Sequence, residues 1–315
     1  MNRIGIDLGG TNIAAGITDD HGKVLYKMSV PTKSDREPAL IIDDIVMLCS
    51  NLCKKSSIPL ADIGFIGIAI PGGVDEKSGE IIFTPNIPFS GINISSILSQ
   101  RLEGKPVKVI NDANAALLAE MKCGVGIDRS NVVMITLGTG IGGAIAIDGK
   151  ILNGVNGMAG EIGHMVIQKN GNTCSCGRRG CFETYASASA LVDLIKQEIV
   201  FCKSINEHTL MEEAPRINAR VAFDAYKKGD KGAKRVLDQY MKSLSCGIAS
   251  LINIFQPELF IIGGGISGQK QNLIDMLHPY IQKELFSSCI QRQTEITTAQ
   301  CENDAGIIGA ALLSD

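Results

Sequence analysis

Three glycine-rich turns recur along this 315-residue chain, at 9–12, 138–143 and 263–265, and each follows a short apolar run that reads as a strand. Backbone amides beside glycine can approach phosphate oxygens closely, and no side-chain charge is needed for that contact. One such turn is most simply a tight turn. Three of them, with Asp7 just ahead of the first, point to nucleotide binding between two lobes. None has the Gly-x4-Gly-Lys-Ser/Thr form of a P-loop. Nor is the first a Gly-x-Gly-x-x-Gly fingerprint, because Gly9-Gly10 leads into a hairpin. There the expected strands are 3–8, 13–17 and 23–30, with Asp19-Asp20-His21-Gly22 as the turn.

The length favours two domains. Apolar spacing at Ile41, Ile45, Leu48 and Leu52 predicts a helix over 38–55. A buried strand is expected over 63–70, a helix over 95–102, a strand over 107–110, and a helix over 113–122 entered through Asn111-Asp112. Strands follow at 132–137, 144–147 and 150–152, and the whole of 138–143 reads as a turn. Helices are expected over 188–201 and 219–255, the second interrupted at 227–231, then a strand over 258–262 and a helix over 305–313. A net charge of -3 gives no basic footprint for nucleic acid. No uninterrupted apolar run reaches the roughly 18 residues of a membrane span. The first residues read as a strand and not as a signal peptide, and ten cysteines then suggest reduced thiols in a cytoplasm.

A metal site is written into Glu161-Ile162-Gly163-His164 and Cys174-x-Cys176-x4-Cys181-x-Glu183. His164, Cys174, Cys176 and Cys181 make a full tetrahedral N/S set for structural zinc, with no position left for water. Glu161 and Glu183 flank these ligands, so a closed metal site would hold two carboxylates in place. Asp112 admits two readings: a helix N-cap, or a rigidly held carboxylate that takes the proton of an attacking hydroxyl in phosphoryl transfer. Asn111 beside it suits a polyol. Asp7 is either a turn former or an outer ligand to Mg2+. His21, His208 and His278 read as surface residues, and the remaining cysteines as small core hydrophobes.

The chain resembles the ROK family of sugar kinases (repressors, open reading frames and kinases), and within it the bacterial glucokinases. The resemblance runs from Asp7-Leu8-Gly9-Gly10-Thr11 to Asn303-Asp304-Ala305-Gly306-Ile307-Ile308-Gly309-Ala310. Between these lie Asn111-Asp112-Ala113-Asn114-Ala115-Ala116, Leu137 to Gly143, Ala159 to His164, the cysteine motif, and Pro257 to Gly265. It implies an actin-like ATPase (ribonuclease H-like) α/β fold, two lobes with a nucleotide and sugar cleft between them. The expected division is 1–117 plus 303–315 for a small lobe and 118–302 for a large lobe carrying zinc.

The resemblance further implies an ATP-dependent kinase that phosphorylates the 6-hydroxyl of glucose, with Asp112 as general base and Mg2+ and structural Zn2+ as metals. Asn86, Asn111, Glu161, His164 and Glu183 would bind sugar hydroxyls, His164 using one ring nitrogen for zinc and the other for sugar. Asp7, Gly9, Gly10, Thr11 and Asn12, with Gly138, Thr139 and Gly140, would serve the phosphates and their metal. Gly264 and Gly265 would lie near the adenosine. A homodimer or homotetramer is implied, with no nucleic-acid or membrane partner.

Two positions depart from the family. The sugar loop reads Asn86-Ile87-Pro88-Phe89, where many relatives carry tryptophan, and Gly142-Gly143 is followed by Ala144 in place of a third glycine. The same chemistry on N-acetylmannosamine, fructose or another hexose is therefore an alternative. ROK repressors that sense sugar add an N-terminal helix-turn-helix, for which six residues ahead of Asp7 leave no room. A zinc protein without catalysis, its glycine turns purely structural, is the remaining reading.

Overall fold

The structure, a computed structural model, describes residues 1–286 and 289–314. In chain order the elements are β1 (Asn2–Leu8), β2 (Asn12–Thr18), β3 (Val24–Pro31), α1 (Pro38–Ser56), β4 (Ile63–Ile70), β5 (Gly73–Asp75), β6 (Glu80–Phe83), β7 (Ile92–Asn93), α2 (Ile94–Arg101), β8 (Val107–Asn111) and α3 (Asp112–Cys123). There follow β9 (Val132–Leu137), β10 (Ile141–Ile147), β11 (Lys150–Ile151), α4 (Glu183–Ala186), α5 (Ala188–Ser204), α6 (Arg220–Lys227), α7 (Lys231–Phe255), β12 (Leu259–Gly264), α8 (Gln271–Glu284), β13 (Glu295–Thr298) and α9 (Ala305–Ala311).

Two sheets share one plan. The first has the order β3-β2-β1-β4-β8 and the second β11-β10-β9-β12-β13, so each is three sequential strands followed by two that enter by crossover. In the first, β1 pairs antiparallel with β2 and parallel with β4, which pairs parallel with β8. In the second, β12 is parallel to both β9 and β13. Parallel strands need helical crossovers, and α1, α2 and α5 to α8 supply them. A third sheet, β5-β6-β7, is a short meander.

The chain divides into two compact units. One comprises Met1–Ser130, Ala144–Gly160 and Gln300 onward; the other comprises Asn131–Gly143 and Glu161–Ala299. A division at residue 117 would cut α3, which runs unbroken to Cys123.

In the first unit, Ile41, Ile45, Leu48 and Leu52 of α1 are buried in one core with Ile4, Ile6, Ile66 and Ile68 of the sheet. Helix α9 seats its backbone directly on the strands. A Cβ on Gly5 or Gly67 would meet the carbonyl oxygens of Ile307 and Ala310 at 1.8 Å, so only glycine permits this approach. In the second unit the 25-residue α7 buries Val236, Leu237, Tyr240, Leu244, Ile248 and Ile252. Asp230 caps it, accepting from the Ala233 amide at 2.7 Å.

Most expected elements are present, with three differences. The turn after β9 is shorter than expected: Ile141, Gly142 and Gly143 already belong to β10. Helices α4 and α8, β13 and the β5–β7 meander had no counterpart in the expected elements. The helix expected over 305–313 ends at Ala311.

Candidate active site

Parallel pairing collects the candidate residues at strand carboxyl ends, where open α/β sheets bind ligands. In the first unit β1 ends beside the Gly9-Gly10 turn, β4 leads into Pro71-Gly72, and β8 ends at Asn111. Asp7 pairs with Ala69 of β4, and Ile70 with Asn111, so these ends are level.

The first turn is tied by the Gly9 amide donating to the Asn12 carbonyl at 2.9 Å. Thr32 fixes it from outside: its hydroxyl donates to the Gly9 carbonyl at 2.6 Å and its amide to Thr11 at 2.9 Å. Thr11 and Asn12 are exposed. Asn86 is exposed too, and its Cβ lies 3.5 Å from where a Cβ on Gly10 would stand.

The N-cap of α3 is Asn111. Its Oδ1 accepts from the amides of Ala113 at 2.9 Å and Asn114 at 3.1 Å, and its Nδ2 donates to the Gly72 carbonyl at 2.9 Å. The capping reading of Asp112 is thereby corrected: Asp112 is the first helical residue, because β8 extends one residue further than expected. The Asn111 side chain also hydrogen-bonds to the Asp112 carboxyl, which opposes the rise of its pKa.

Asp112 keeps solvent-accessible surface, yet protein packed around its carboxyl raises its pKa by desolvation; the Ala113 amide, 2.8 Å from Oδ1, opposes that rise. Burial also pushes Asp7 up, to about 6, and the charge of Asp112 adds to it. The Asp7 carboxyl lies against α9, where a Cβ on Gly306 would sit 2.6 Å from its Cγ. Sequence reasoning gave neither Thr32 nor Gly306 a role; Gly306 stands inside a recognised block, but Thr32 carried no signal.

In the second unit Gly264 of β12 pairs with Leu137 of β9, so the turns at 138–140 and 264–265 emerge side by side. Gly264 has φ +81°, and a Cβ there would meet Leu137 backbone atoms at 2.5 to 2.7 Å. Gly138 accepts at its carbonyl from the Ala188 amide at 2.9 Å, which fixes the turn to the start of α5. Thr139 is exposed. Gly140 faces Glu183: a Cβ there would come within 2.5 Å of Oε2.

His164, Cys174, Cys176 and Cys181 converge, their ligand atoms all within 4.8 Å of one another. Among the described residues this is the one such group of histidine, cysteine and carboxylate side chains. Tetrahedral zinc with Zn–S of about 2.3 Å requires sulfurs about 3.8 Å apart. Cys176 and Cys181 sulfurs are 3.7 Å apart, and the Cys174 sulfur is 3.6 Å from His164 Nδ1. The donor set fits zinc. Glu183 Oε1 lies 3.0 Å from the Cys174 sulfur and 3.7 Å from His164 Nδ1, whereas His164 Nε2 is 3.9 Å from Glu161 Oε2. The ring thus turns one nitrogen to the sulfur cluster and the other to Glu161. His21, His208 and His278 are exposed, while Cys49, Cys53 and Cys202 are buried as expected and Cys289 is exposed. Among the described residues no helix is long and apolar enough to cross a membrane.

Two sheets of one plan, with acidic and glycine residues at their carboxyl ends, define the actin-like ATPase class, and the solved structures sharing the fold agree. The sequence profile of the ROK family matches residues 3–315, and the chain belongs to that family. A glucokinase of Thermotoga maritima is 34% identical over 312 residues, which cover 99% of this chain and 96% of that one. The crystal structure of a ROK family glucokinase from Streptomyces griseus in complex with glucose and AMPPNP superposes with a TM-score of 0.84 at 33% identity, covering 99% of this chain and 98% of that one. A ROK family transcriptional regulator, a homolog of the E. coli MLC protein, superposes with a TM-score of 0.85 at 26% identity, over 99% of this chain and 77% of that one.

Proposed function

We propose that this chain is a hexose kinase that transfers the γ-phosphate of ATP to the 6-hydroxyl of glucose, with Asp112 as general base. The observation that carries this reading is the cap of α3. Asn111 caps the helix and Asp112 is its first residue; one Asp112 oxygen takes the Ala113 amide, and the raised pKa of the carboxyl suits acceptance of a hydroxyl proton. Glucose as the substrate is supported by the Thermotoga maritima and Streptomyces griseus glucokinases.

Sugar binding would draw on Asn86, Asn111, Glu161, His164 and Glu183. The amides of Gly9 to Asn12 and Gly138 to Gly140 would contact phosphate oxygens, with Gly264 and Gly265 near the adenosine. His164, Cys174, Cys176 and Cys181 would hold structural zinc, whose chemistry is to fix the loop between Glu161 and Glu183. Asp7 fits an outer role at Mg2+: its carboxyl is buried beside a second carboxyl, a pair that a divalent cation relieves. Bound Mg2+ would supply charge neutralisation at the phosphates. Asp112 would then need only to orient the sugar oxygen and take its proton. Orientation matters because water competes as acceptor.

A coupled ADP-release assay over hexoses and N-acetylhexosamines tests the reading. Glucose is expected to give the highest kcat/KM; preference for N-acetylmannosamine or fructose would keep the chemistry and change the substrate. A sugar-sensing regulator is the second reading, motivated by the transcriptional regulator of the same fold. Specific, salt-sensitive binding to operator DNA without turnover of any sugar would establish it in place of the kinase.

A further inference from the structure

The first unit holds a partly buried polar chain that no catalytic role accounts for. Asn114, on the first turn of α3 and 3% exposed, donates from Nδ2 to Asn153 Oδ1 at 3.2 Å. Asn153 in turn hydrogen-bonds by its side chain to Glu76, just past the end of β5. Glu76 is a carboxylate acceptor, so the donor in that second bond is the Asn153 amide nitrogen. Asn153 thus joins three segments with one amide group: the helix that begins at Asp112, the turn after β5, and its own loop.

That loop, 153–160, is built to be held rather than to hold itself. Its base is closed by the Ala159 amide donating to the Asn153 carbonyl at 3.1 Å. Gly154, Gly157 and Gly160 all have positive φ, at 72°, 70° and 90°. At Gly157 the loop presses on β5 so closely that a Cβ would meet the Val74 carbonyl oxygen at 2.0 Å. The residue that follows Gly160 is Glu161. Glycine contributes no side-chain packing and much chain entropy, so beside the contacts of Gly157 and Met158 with β5 the position of this loop rests on its few polar ties. Glu76 Oε1 and Asn114 Oδ1 are buried without partners, so the amide of Asn153 is the side-chain tie that these two residues share.

We propose that Asn153 is a positioning residue, which locks the loop leading to Glu161 onto the helix that starts at Asp112 through its amide bonds to Asn114 and Glu76. The functional consequence rests on the kinase reading above, in which Glu161 binds sugar and Asp112 takes its proton. The structural content does not.

Two readouts separate these. Asn153→Asp keeps an acceptor for Asn114 but sets a second carboxylate against Glu76 and removes the donor. Amide hydrogen exchange across 154–160 is then expected to quicken by about tenfold, since a partly buried hydrogen bond is lost. Adding Glu76→Gln returns a donor from the opposite side, so the double variant is expected to regain most of the protection. In steady-state assays the glucose KM is expected to rise about tenfold in the single variant, with the ATP KM within about twofold, and to recover in the double variant. Unchanged exchange in Asn153→Asp, or a double variant no better protected than the single, overturns the lock whatever the activity. Restored exchange without any restored glucose KM would overturn the positioning role. Failure of the kinase reading shows elsewhere, as wild-type protein that releases no ADP with any hexose.

Discussion

His164 Nδ1 lies 3.6 Å from the sulfur of Cys174, while Nε2 of the same ring faces Glu161 at 3.9 Å. One side chain therefore belongs both to the sulfur cluster and to the acidic edge beside it. A histidine held at one nitrogen by a metal has its other nitrogen fixed in direction. Loss of the metal should then be felt at Glu161, where sugar is proposed to bind.

Cys176→Ser removes one sulfur from a four-ligand set that fits zinc. Zinc content per chain, read by inductively coupled plasma mass spectrometry, should fall from one toward zero. The glucose KM should rise by an order of magnitude or more, because structural zinc contributes on the order of 10 kcal/mol to local folding. Zinc loss with an unchanged glucose KM would separate the brace from the pocket and contradict the account.

Gly140→Ala tests the contact between the second glycine turn and Glu183. The new methyl would stand 2.5 Å from Glu183 Oε2, the mobile end of a side chain, so the carboxylate must move while the backbone need not. The expected result is a glucose KM raised about tenfold with a thermal midpoint within about 2 °C of the parent. A large fall in midpoint with an unaltered KM would show that the glycine serves the fold and not the pocket.

Asp7 gives a pH signature. Its folded pKa is pushed up to about 6, above the ordinary 3.8, by burial first and by Asp112 second. A carboxyl with a raised folded pKa binds its proton more tightly when folded. The stability so gained is fully present below about pH 4 and is lost as pH rises through about 6. Asp7→Asn escapes that loss. In Mg2+-free buffer its thermal midpoint should equal that of the parent near pH 4 and exceed it near pH 7, by an amount worth at most about 3 kcal/mol. A gap that stays constant with pH would mean that Asp7 is not destabilised in its charged form.

Much of this was legible in the sequence because each strand and turn was written locally. The spacing of Ile41, Ile45, Leu48 and Leu52 gave α1, and the spacing of one histidine and three cysteines gave a cluster whose atoms do converge. Helix α8 was hidden because Pro279 sits inside it and proline ordinarily ends a helix, although its buried Leu273, Leu277 and Ile281 keep the four-residue apolar spacing. The cap of α3 was misread for a different reason. Asn111 and Asp112 are both good caps, and the choice between them is made by how far β8 runs along β4, a tertiary pairing that no local pattern contains. Thr32 was invisible because a threonine hydroxyl reaching the carbonyl of Gly9 depends on two strands folding back together. The tie from Asn114 through Asn153 to Glu76 joins positions far apart in the chain, and it too exists only once the fold has formed.

The central claim is that Asp112 takes the proton from the sugar hydroxyl. Its most direct test is glucose-dependent ADP release by Asp112→Asn, measured beside ATP affinity from equilibrium titration. Asparagine keeps the size of the side chain and an acceptor for the Ala113 amide, 2.8 Å away, but cannot accept a proton. The account predicts kcat lower by a factor of about 10² or more with the ATP Kd changed less than about threefold. A variant that keeps most of its kcat would contradict it.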